Sequence, residues 1–541
     1  MQGKSYLMAG VAVVALVASS DAGLAKTKHH AAAPAPAATS DATPAPAASN
    51  GPTNAELADR LSALEAELAA DHEKRDSDHN RLSALEQNFN DTSWTFDNAR
   101  PTVKSGDGRF TMAIRVRFQA DFAGFMQDSP AALALTAPKA TADLSSGAVV
   151  RRGFFGIEGK VFNDFVYEFR LNAGGSNGSA GSGVTGSEGD PLMNLARVAY
   201  VGIDHFELNM GVIEPAFMFE GTTSSAQLMF LERPEIDNIA ADTFGAADSR
   251  RGIEVRFQKD SALMPGDNLV LNAAFTGNKT GSSSGHGPGG DEQAQILGRA
   301  SYRFWSDGPS NASFGTSIAD IISPGGGNST ITLQDRPEIR VDGTRLISTG
   351  NILAQHAFMW AIDGGVNYNQ FFIGGEYADF QVDRQLGSSF EAADTPDFSG
   401  WYVEASWVLT GEPKSYTVSA TNNEVGGFGA PKVGQPFSFK GDSWGAWEVA
   451  VRYSDTNLNW NDTRVAVPGT SSSALGIQAG INGGDERVVA LGLNWYLNNN
   501  VKLQLNDLIT DVGKYSSTSH VLANRASQSF NTIGVRLQFS N

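Results

Sequence analysis

The stretch Arg109 to Phe122, RFTMAIRVRFQADF, alternates almost without a break. Phe110, Met112, Ile114, Val116, Phe118 and Phe122 are large and apolar, while Thr111, Ala113, Arg115, Arg117, Gln119 and Asp121 between them are small or polar. A period of two places the first set on one face of a strand and the second on the other. Two arginines and an aspartate are more charge than a packed sandwich core accepts without pairing, but ordinary for a face in contact with water. Two folds satisfy this strand. In a soluble sheet its apolar face turns inward; in a membrane barrel it turns outward to lipid and the arginines line a lumen.

The pattern recurs down the chain. In Phe165 to Leu171 the odd positions are apolar, and Val166, Glu168 and Arg170 face the other way. For Phe155, Ile157 and Val161 of the preceding arm to share that apolar face, the turn must be odd. Three residues, Phe162 to Asp164, fit, with Asn or Asp in the left-handed position. Clear alternation returns at Phe206 to Val212, Trp401 to Leu409, Trp447 to Tyr453, Val489 to Leu497, Val501 to Leu505 and Ile533 to Phe539. Weaker patterns include Leu195 to Ile203, Gln355 to Tyr368 and Phe371 to Val382. Together they give about sixteen strands of ~10 residues, the even number a closed barrel wants. Arg336 to Val341 would be a seventeenth and is read as loop.

Connections alternate in length. Short turns lie at Phe162 to Asp164, Asp204-His205, Trp305 to Asn311, around Asn369 and at Asn498-Asn499. Long Gly/Ser/Pro-rich loops lie at Gln127 to Ala148, Gly174 to Pro191, Glu214 to Ser249, Gly277 to Glu292, Ile321 to Ala354, Arg384 to Asp397, Asp455 to Glu486 and Val512 to Ser529. Short turns on one rim and long loops on the other mark an outer-membrane barrel. Gly411 to Asp442 breaks the rule, being long but on the short-turn rim. An inside-out barrel would put Arg115, Arg117, Arg170 and Arg536 on lipid at ~2–4 kcal/mol each near the midplane. That total rivals the ~5–15 kcal/mol net stability of a domain, so the arginines face the lumen.

Ahead of the strands, residues 1–25 read as a cleaved secretory signal, with Lys4 before an apolar run from Leu7 to Ala18. Residues 26–53 are an Ala/Pro-rich linker. In residues 54–90, Leu57, Leu61, Leu64, Leu68, Leu82, Leu85 and Phe89 share one heptad seam whose middle, Asp71, Arg75 and Asp78, is polar. This predicts a short periplasmic coiled coil, joined by a connector, 91–108, to a barrel over 109–541. A single amphipathic helix lying on its own domain is the alternative. The net charge of −19 argues against a nucleic-acid partner. Zero cysteines and 8 histidines leave little for a metal centre. No nucleophile, base and orienting group fall together, so neither an enzyme nor a cofactor is expected.

Several segments resemble the phosphate- and polyphosphate-selective porin O/P family. They are RVRFQADF at Arg115, VRRGFFGIEGKVFNDFVYEF at Val150, TTSSAQLMFLERPE at Thr222, RPEIRVDGTRLISTG at Arg336, GWYVEASWVLTGE at Gly400, GAWEVAVRYS at Gly445 and GLNWYLNN at Gly492. The resemblance implies an all-β fold, a sixteen-stranded antiparallel transmembrane barrel. It implies a homotrimer in the outer membrane of a Gram-negative cell, each barrel a passive pore for small anions, phosphate or polyphosphate, constricted by the third long loop. By position, Arg117, Arg151 and Arg152 match the family's wall arginines, Ser224 and Ser225 its loop serines, and Arg336, Arg340 and Arg345 its arginine-rich pore segment. Arg115, on the same wall face as Arg117, joins them as a candidate. The lysine that follows the serines in phosphate-selective members is here Ala226.

Blander readings stand beside these. The wall arginines Arg115, Arg117 and Arg452 have Asp121, Glu158, Glu168 and Glu448 near them in sequence or face, and ion pairs would then hold the wall together. Strict alternation puts Arg151 on the apolar side, so it reaches the lumen only through a bulge or above the bilayer. Glu232 and Arg233 would pair within their loop. A broad small-solute porin and a trimeric tether or adhesin remain the other functions, with the linker reaching toward the cell wall.

Overall fold

A computed structural model describes residues 52–541, apart from 97–98, 128–142, 176–192, 247, 281–291, 326–328, 387–388, 393, 419, 421–422, 461–479 and 516–524. The expected signal, most of the linker and parts of several long loops lie outside the described residues. The chain divides into two units, residues 1–78 and 79–541.

Sixteen antiparallel strands form the barrel wall: β1 Thr111–Gln127, β2 Gly147–Val161, β3 Phe165–Asn172, β4 Met193–Ile203, β5 Phe206–Ile213, β6 Arg250–Asp260, β7 Asn268–Lys279, β8 Ala294–Asp307, β9 Ser310–Ser323, β10 Ile352–Tyr368, β11 Phe371–Leu386, β12 Asp397–Val408, β13 Ala446–Trp460, β14 Ile481–Tyr496, β15 Val501–Tyr515 and β16 Arg525–Ser540. Each pairs with the next, and β16 pairs back onto β1, from Phe530 opposite Gln127 to Ser540 opposite Arg117. Closure leaves no edge strand. Arg336 to Val341 is loop, and the adjacent Gln334–Asp335 pairs with Ile347–Ser348 in a two-stranded piece apart from the barrel wall.

The faces sort as the alternation of β1 predicts. Phe118 and Phe122 are 39% and 54% exposed on the outside, while Gln119 and Asp121 are fully buried within. Aromatic pairs gather near the rims. Phe371 stacks on Trp407 with centroids 5.7 Å apart and Trp447 on Trp495 at 5.0 Å by the short turns, and Trp360 meets Tyr377 at 5.4 Å further along the wall. Such a girdle suits the membrane–water boundary. The β2–β3 turn has three residues, Val161 pairing with Phe165. Asn163 takes the left-handed conformation at φ 70°, and so does Phe162 at φ 54°. The β8–β9 turn is tighter than the sequence suggests, Asp307 pairing with Ser310 across Gly308 and Pro309. The segment before β1 adds two short strands, Ser93–Thr95 and Thr102–Lys104, the second paired to the start of β1.

Three connections pack inside the barrel. The 214–249 loop brings Phe217, Met218, Phe230, Ile239 and Phe244, and the 324–351 loop brings Leu333, Ile339, Leu346 and Ile347. They meet inward-facing Ala319, Ala357, Ala361, Ala378 and Ala490 of the wall in one apolar cluster. Alanine at those wall positions leaves room for a loop to dock. The long connection from β12 to β13 also turns inward. It carries a small hairpin, Lys414–Tyr416 against Phe428–Pro431, whose Phe428 packs on Phe219 and Phe372 at 5.9 and 5.1 Å.

Helix α1 spans Asn54–Asn90. It begins in a capping box, the Thr53 amide donating to Glu56 Oε2 at 2.9 Å and the Glu56 amide to Thr53 Oγ1 at 3.3 Å. Its seam leucines are exposed, Leu64 at 61% and Leu85 at 65%. Within the 214–249 loop, α2 spans Glu235–Phe244 and ends on Gly245 at φ 76°. Arg250 of β6 donates to the carbonyls of Ala241, Asp242 and Thr243, closing the helix's C-terminal end.

Candidate functional site

A loop threaded through a barrel must find partners for its backbone. Residues 225–232 find them on the wall, one carbonyl after another. Gln119 of β1 donates to Ser225 O at 2.9 Å and Gln538 of β16 to Ala226 O at 2.9 Å. Lys502 and Gln504 of β15 reach Leu228 O, and Asn494 of β14 reaches Met229 O. Arg536 of β16 donates to Leu231 O, and Arg452 of β13 to Glu232 O at 3.1 Å. The loop is thereby belted to β13–β16 and β1. None of these amide side chains stood out in the sequence, because an inward Gln or Asn on a barrel wall carries no motif.

The belt fixes where the charges go. Glu232 does not pair with Arg233. Its carboxylate receives Arg151 Nε at 2.8 Å, Arg152 Nη2 at 3.3 Å and Arg536 Nη2 at 2.7 Å. Burial pushes the Glu232 carboxyl up, but the three guanidinium groups outweigh it and hold the group well below the usual range. Arg233 instead donates to the carbonyls of Glu220 and Thr223 at 2.9 and 2.7 Å. Arg151 reaches Glu232 through a bulge: Gln119 pairs with Arg152 and Ala120 with Val150, leaving Arg151 between.

Arg117 has different company. Its guanidinium donates to Ser225 Oγ at 2.6 Å and Ser224 Oγ at 2.9 Å, both neutral, and lies 5.5 Å over the Phe154 ring. Arg115, one pleat nearer the short-turn rim, bridges Glu158 at 3.1 Å and Glu168 at 3.6 Å. Arg452 meets Glu338 at 2.6 Å, while Glu448 takes Lys414 at 2.7 Å. Wall pairing is thus real for Arg115 and Arg452, but the partners of Arg452 lie mainly on inward loops.

Between the 214–249 loop and β1–β4 lies a cavity of about 160 Å³, room for several waters. Arg117, Arg151, Arg152, Ser224, Ser225, Arg336 and Arg340 all border it. Its lining carries eight cationic and six acidic side chains, a formal excess of two positive charges. Arg336 is buried, and burial together with Arg340 and Arg345 lowers its pKa to about 9. Arg345 stands behind the lining, 3.6 Å from Asp242, and Arg340 lies 3.8 Å from Asp335. Arg115 borders a second cavity nearer the short-turn rim, with Glu158, Glu168 and Arg197. Arg170, which the sequence offered only as a lumen residue, also lines the basic chamber and holds Glu214 at 2.6 Å.

The family model described as phosphate-selective porin O and P matches residues 113–540. Porin O of Pseudomonas aeruginosa is 24% identical over 419 residues, covering 74% of this chain and 83% of its own. Among solved structures, the anion-selective porin from Comamonas acidovorans aligns with a TM-score of 0.42 and 12% identity over 80% of this chain and all of its own. The outer membrane channel DcaP of Acinetobacter baumannii aligns at 0.40 and 10% over 81% and 99%. With a family match that takes in nearly the whole barrel, the chain belongs to the phosphate-selective porin O and P family and is a non-enzymatic channel of the bacterial outer membrane.

Proposed function

We propose that the pore passes small anions preferentially, phosphate-sized oxyanions among them. The observation that carries this reading is Arg117. This guanidinium is held by two serine hydroxyls at the edge of the basic chamber, and the carboxylate that faces it, Glu424, comes from an inward connection and not from the wall. Charge-assisted hydrogen bonds from Arg117, with Arg336 and Arg340 bordering the same chamber, replace part of an anion's hydration. Several weak donors release the ion where one tight site would trap it. A reversal potential in a salt gradient tests this in planar bilayers. Anion preference is expected, and cation preference would sink the reading.

A broad small-solute pore with weak anion preference is the second reading. Glu232 favours it, because its carboxylate takes up Arg151 and Arg152 and leaves the chamber only modestly positive. A tether without conductance would be recognised by the absence of single-channel steps.

The helix suggests an assembly. Seven apolar side chains on one heptad seam are exposed, a stripe another copy of α1 would cover. We read it as a parallel trimeric coil on the periplasmic side, matching a trimer of barrels, with residues 26–53 reaching toward the cell wall.

A further inference from the structure

The connection from β12 to β13 starts on the short-turn rim, yet its middle lies in the lumen. Wall side chains hold it there. Gln258 donates to Ala420 O at 2.9 Å, Asn268 to Val418 O at 3.0 Å and Ser301 to Gly426 O at 3.1 Å. The 214–249 loop adds Thr223, whose hydroxyl donates to Phe428 O at 2.9 Å. At the tip, Asn423 and Glu424 border the basic chamber. The Glu424 carboxylate accepts a hydrogen bond from Ser224 and faces Arg115, Arg117 and Arg170. Burial pushes this carboxyl up, but Arg115 and Arg117 outweigh burial and hold it below its ordinary value.

The donors that surround Glu424 are therefore those a permeating anion needs. An entering anion finds a carboxylate supplied by the chain, bonded to Ser224 and facing Arg117 across the same chamber. We infer that Glu424 is a resident competitor in the throat, holding the anion site until a solute oxyanion takes over its donors. This deepens the reading of the pore as an anion channel and rests on it. It also defines the solute chemistry. A site shaped around a carboxylate accepts a small oxyanion of low charge, a carboxylate or dihydrogen phosphate. A tethered competitor leaves the site free for only a fraction of the time and weakens apparent binding by the inverse of that fraction, which favours passage over retention.

The test is phosphate block of chloride current through the full-length channel in planar bilayers, with inorganic phosphate and acetate as probes. Glu424→Gln keeps the shape and removes the charge. It is expected to lower the half-blocking phosphate concentration about three- to tenfold, as for a competitor present roughly 70–90% of the time, and to do the same for acetate. Glu424→Asp, which draws the carboxylate back by one methylene, is expected to fall between. Glu214→Gln removes a negative charge from the same chamber without vacating Arg117, so it measures the field alone. A Glu424→Gln effect no larger than that of Glu214→Gln would overturn the competitor while leaving the anion channel standing. A cation-selective wild type that phosphate does not block would overturn both.

Discussion

Arg536 grips Asp121 across the seam where β16 closes onto β1, Nε to Oδ1 and Nη2 to Oδ2, both at 2.6 Å. The two residues are register partners and neither side chain has any exposed surface. Asp121 is therefore not a bare acid working against anions in the lumen, since its charge is spent on closing the barrel. The same guanidinium continues to Glu232 and Leu231 O, so one side chain ties the seam to the 214–249 loop. Removing one member of a buried pair costs ~3–5 kcal/mol because the other charge is stranded. Asp121→Asn is expected to lower the urea midpoint of the detergent-folded barrel by that order. Asp121→Asn combined with Arg536→Met is expected to recover part of the loss, and strict additivity of the two would show that they do not act as a pair.

Arg117 and Arg152 lie on neighbouring strands and border the same chamber, yet their partners differ. Arg152 serves Gln119 and Glu232, whereas Arg117 serves two hydroxyls and Glu424. Arg117→Met is expected to reduce anion over cation permeability and to weaken phosphate block by roughly tenfold or more, the scale of a charge-assisted hydrogen bond at ~1.5–3 kcal/mol. Arg152→Met is expected to act mainly on unfolding, because it strips a counter-charge from buried Glu232. Equal losses of selectivity in both variants would contradict this division.

The barrel was legible in the sequence where its inner face is polar. β1, β3 and β16 alternate cleanly because Arg117, Arg170 and Arg536 stand opposite lipid-facing aromatics and aliphatics. β10 and β11 read weakly for a physical reason: their inward positions, Ala357, Met359, Ala361, Phe380 and Val382, are apolar because loops pack on them. A strand buried on both faces loses its period of two. The site was legible as residues and not as pairings. Nothing local in the sequence shows that Glu232 belongs to Arg151 and Arg152, or that Glu424, three hundred positions after Arg117, returns to it. Those contacts follow from two loops entering from opposite rims.

Asp237, in the first turn of α2, borders the basic chamber, and neither of its carboxylate oxygens accepts a hydrogen bond among the described residues. Burial first, then the neighbouring Glu220, pushes its pKa up to about 8 against the pull of Arg233. It is neutral at pH 7 and ionises as the pH rises through about 8, adding negative charge to the basic chamber. Anion preference is thus expected to fall between pH 7 and 8.5. Arg336 keeps its charge over that range, a guanidinium being protonated throughout it. Asp237→Asn tests the assignment. It should remove the step near pH 8, and a step that survives would assign the titration elsewhere.

The seam of α1 predicts neighbours. The chain has no cysteine, so a single one reports proximity without background. Leu64→Cys places a thiol at a seam position that is 61% exposed on the single chain. Mild oxidation of the full-length protein is expected to give covalent dimers, two copies of a trimer being linked at a time. Ser62→Cys, off the seam, is expected to link far less. Equal yields from both positions, or none from Leu64→Cys, would rule out the coil.

Ala226 follows the two serines bound by Arg117, where phosphate-selective relatives, by the resemblance, carry a lysine. Its carbonyl is already fixed to Gln538 at 2.9 Å, so a longer side chain enters a backbone the wall holds in place. Ala226→Lys is expected to bring a second cation beside Arg117 and to tighten phosphate block of chloride current about tenfold, one charge-assisted hydrogen bond being worth ~1.5–3 kcal/mol. Lysine is a strongly hydrated point charge without the fork of arginine, so the gain should be larger for doubly charged phosphate than for acetate. If Glu424 holds the site, the gain should grow when Ala226→Lys is combined with Glu424→Gln, since the new ammonium would otherwise pair with that carboxylate. An unchanged block in both backgrounds would show that the side chain at 226 points away from the path of the anion.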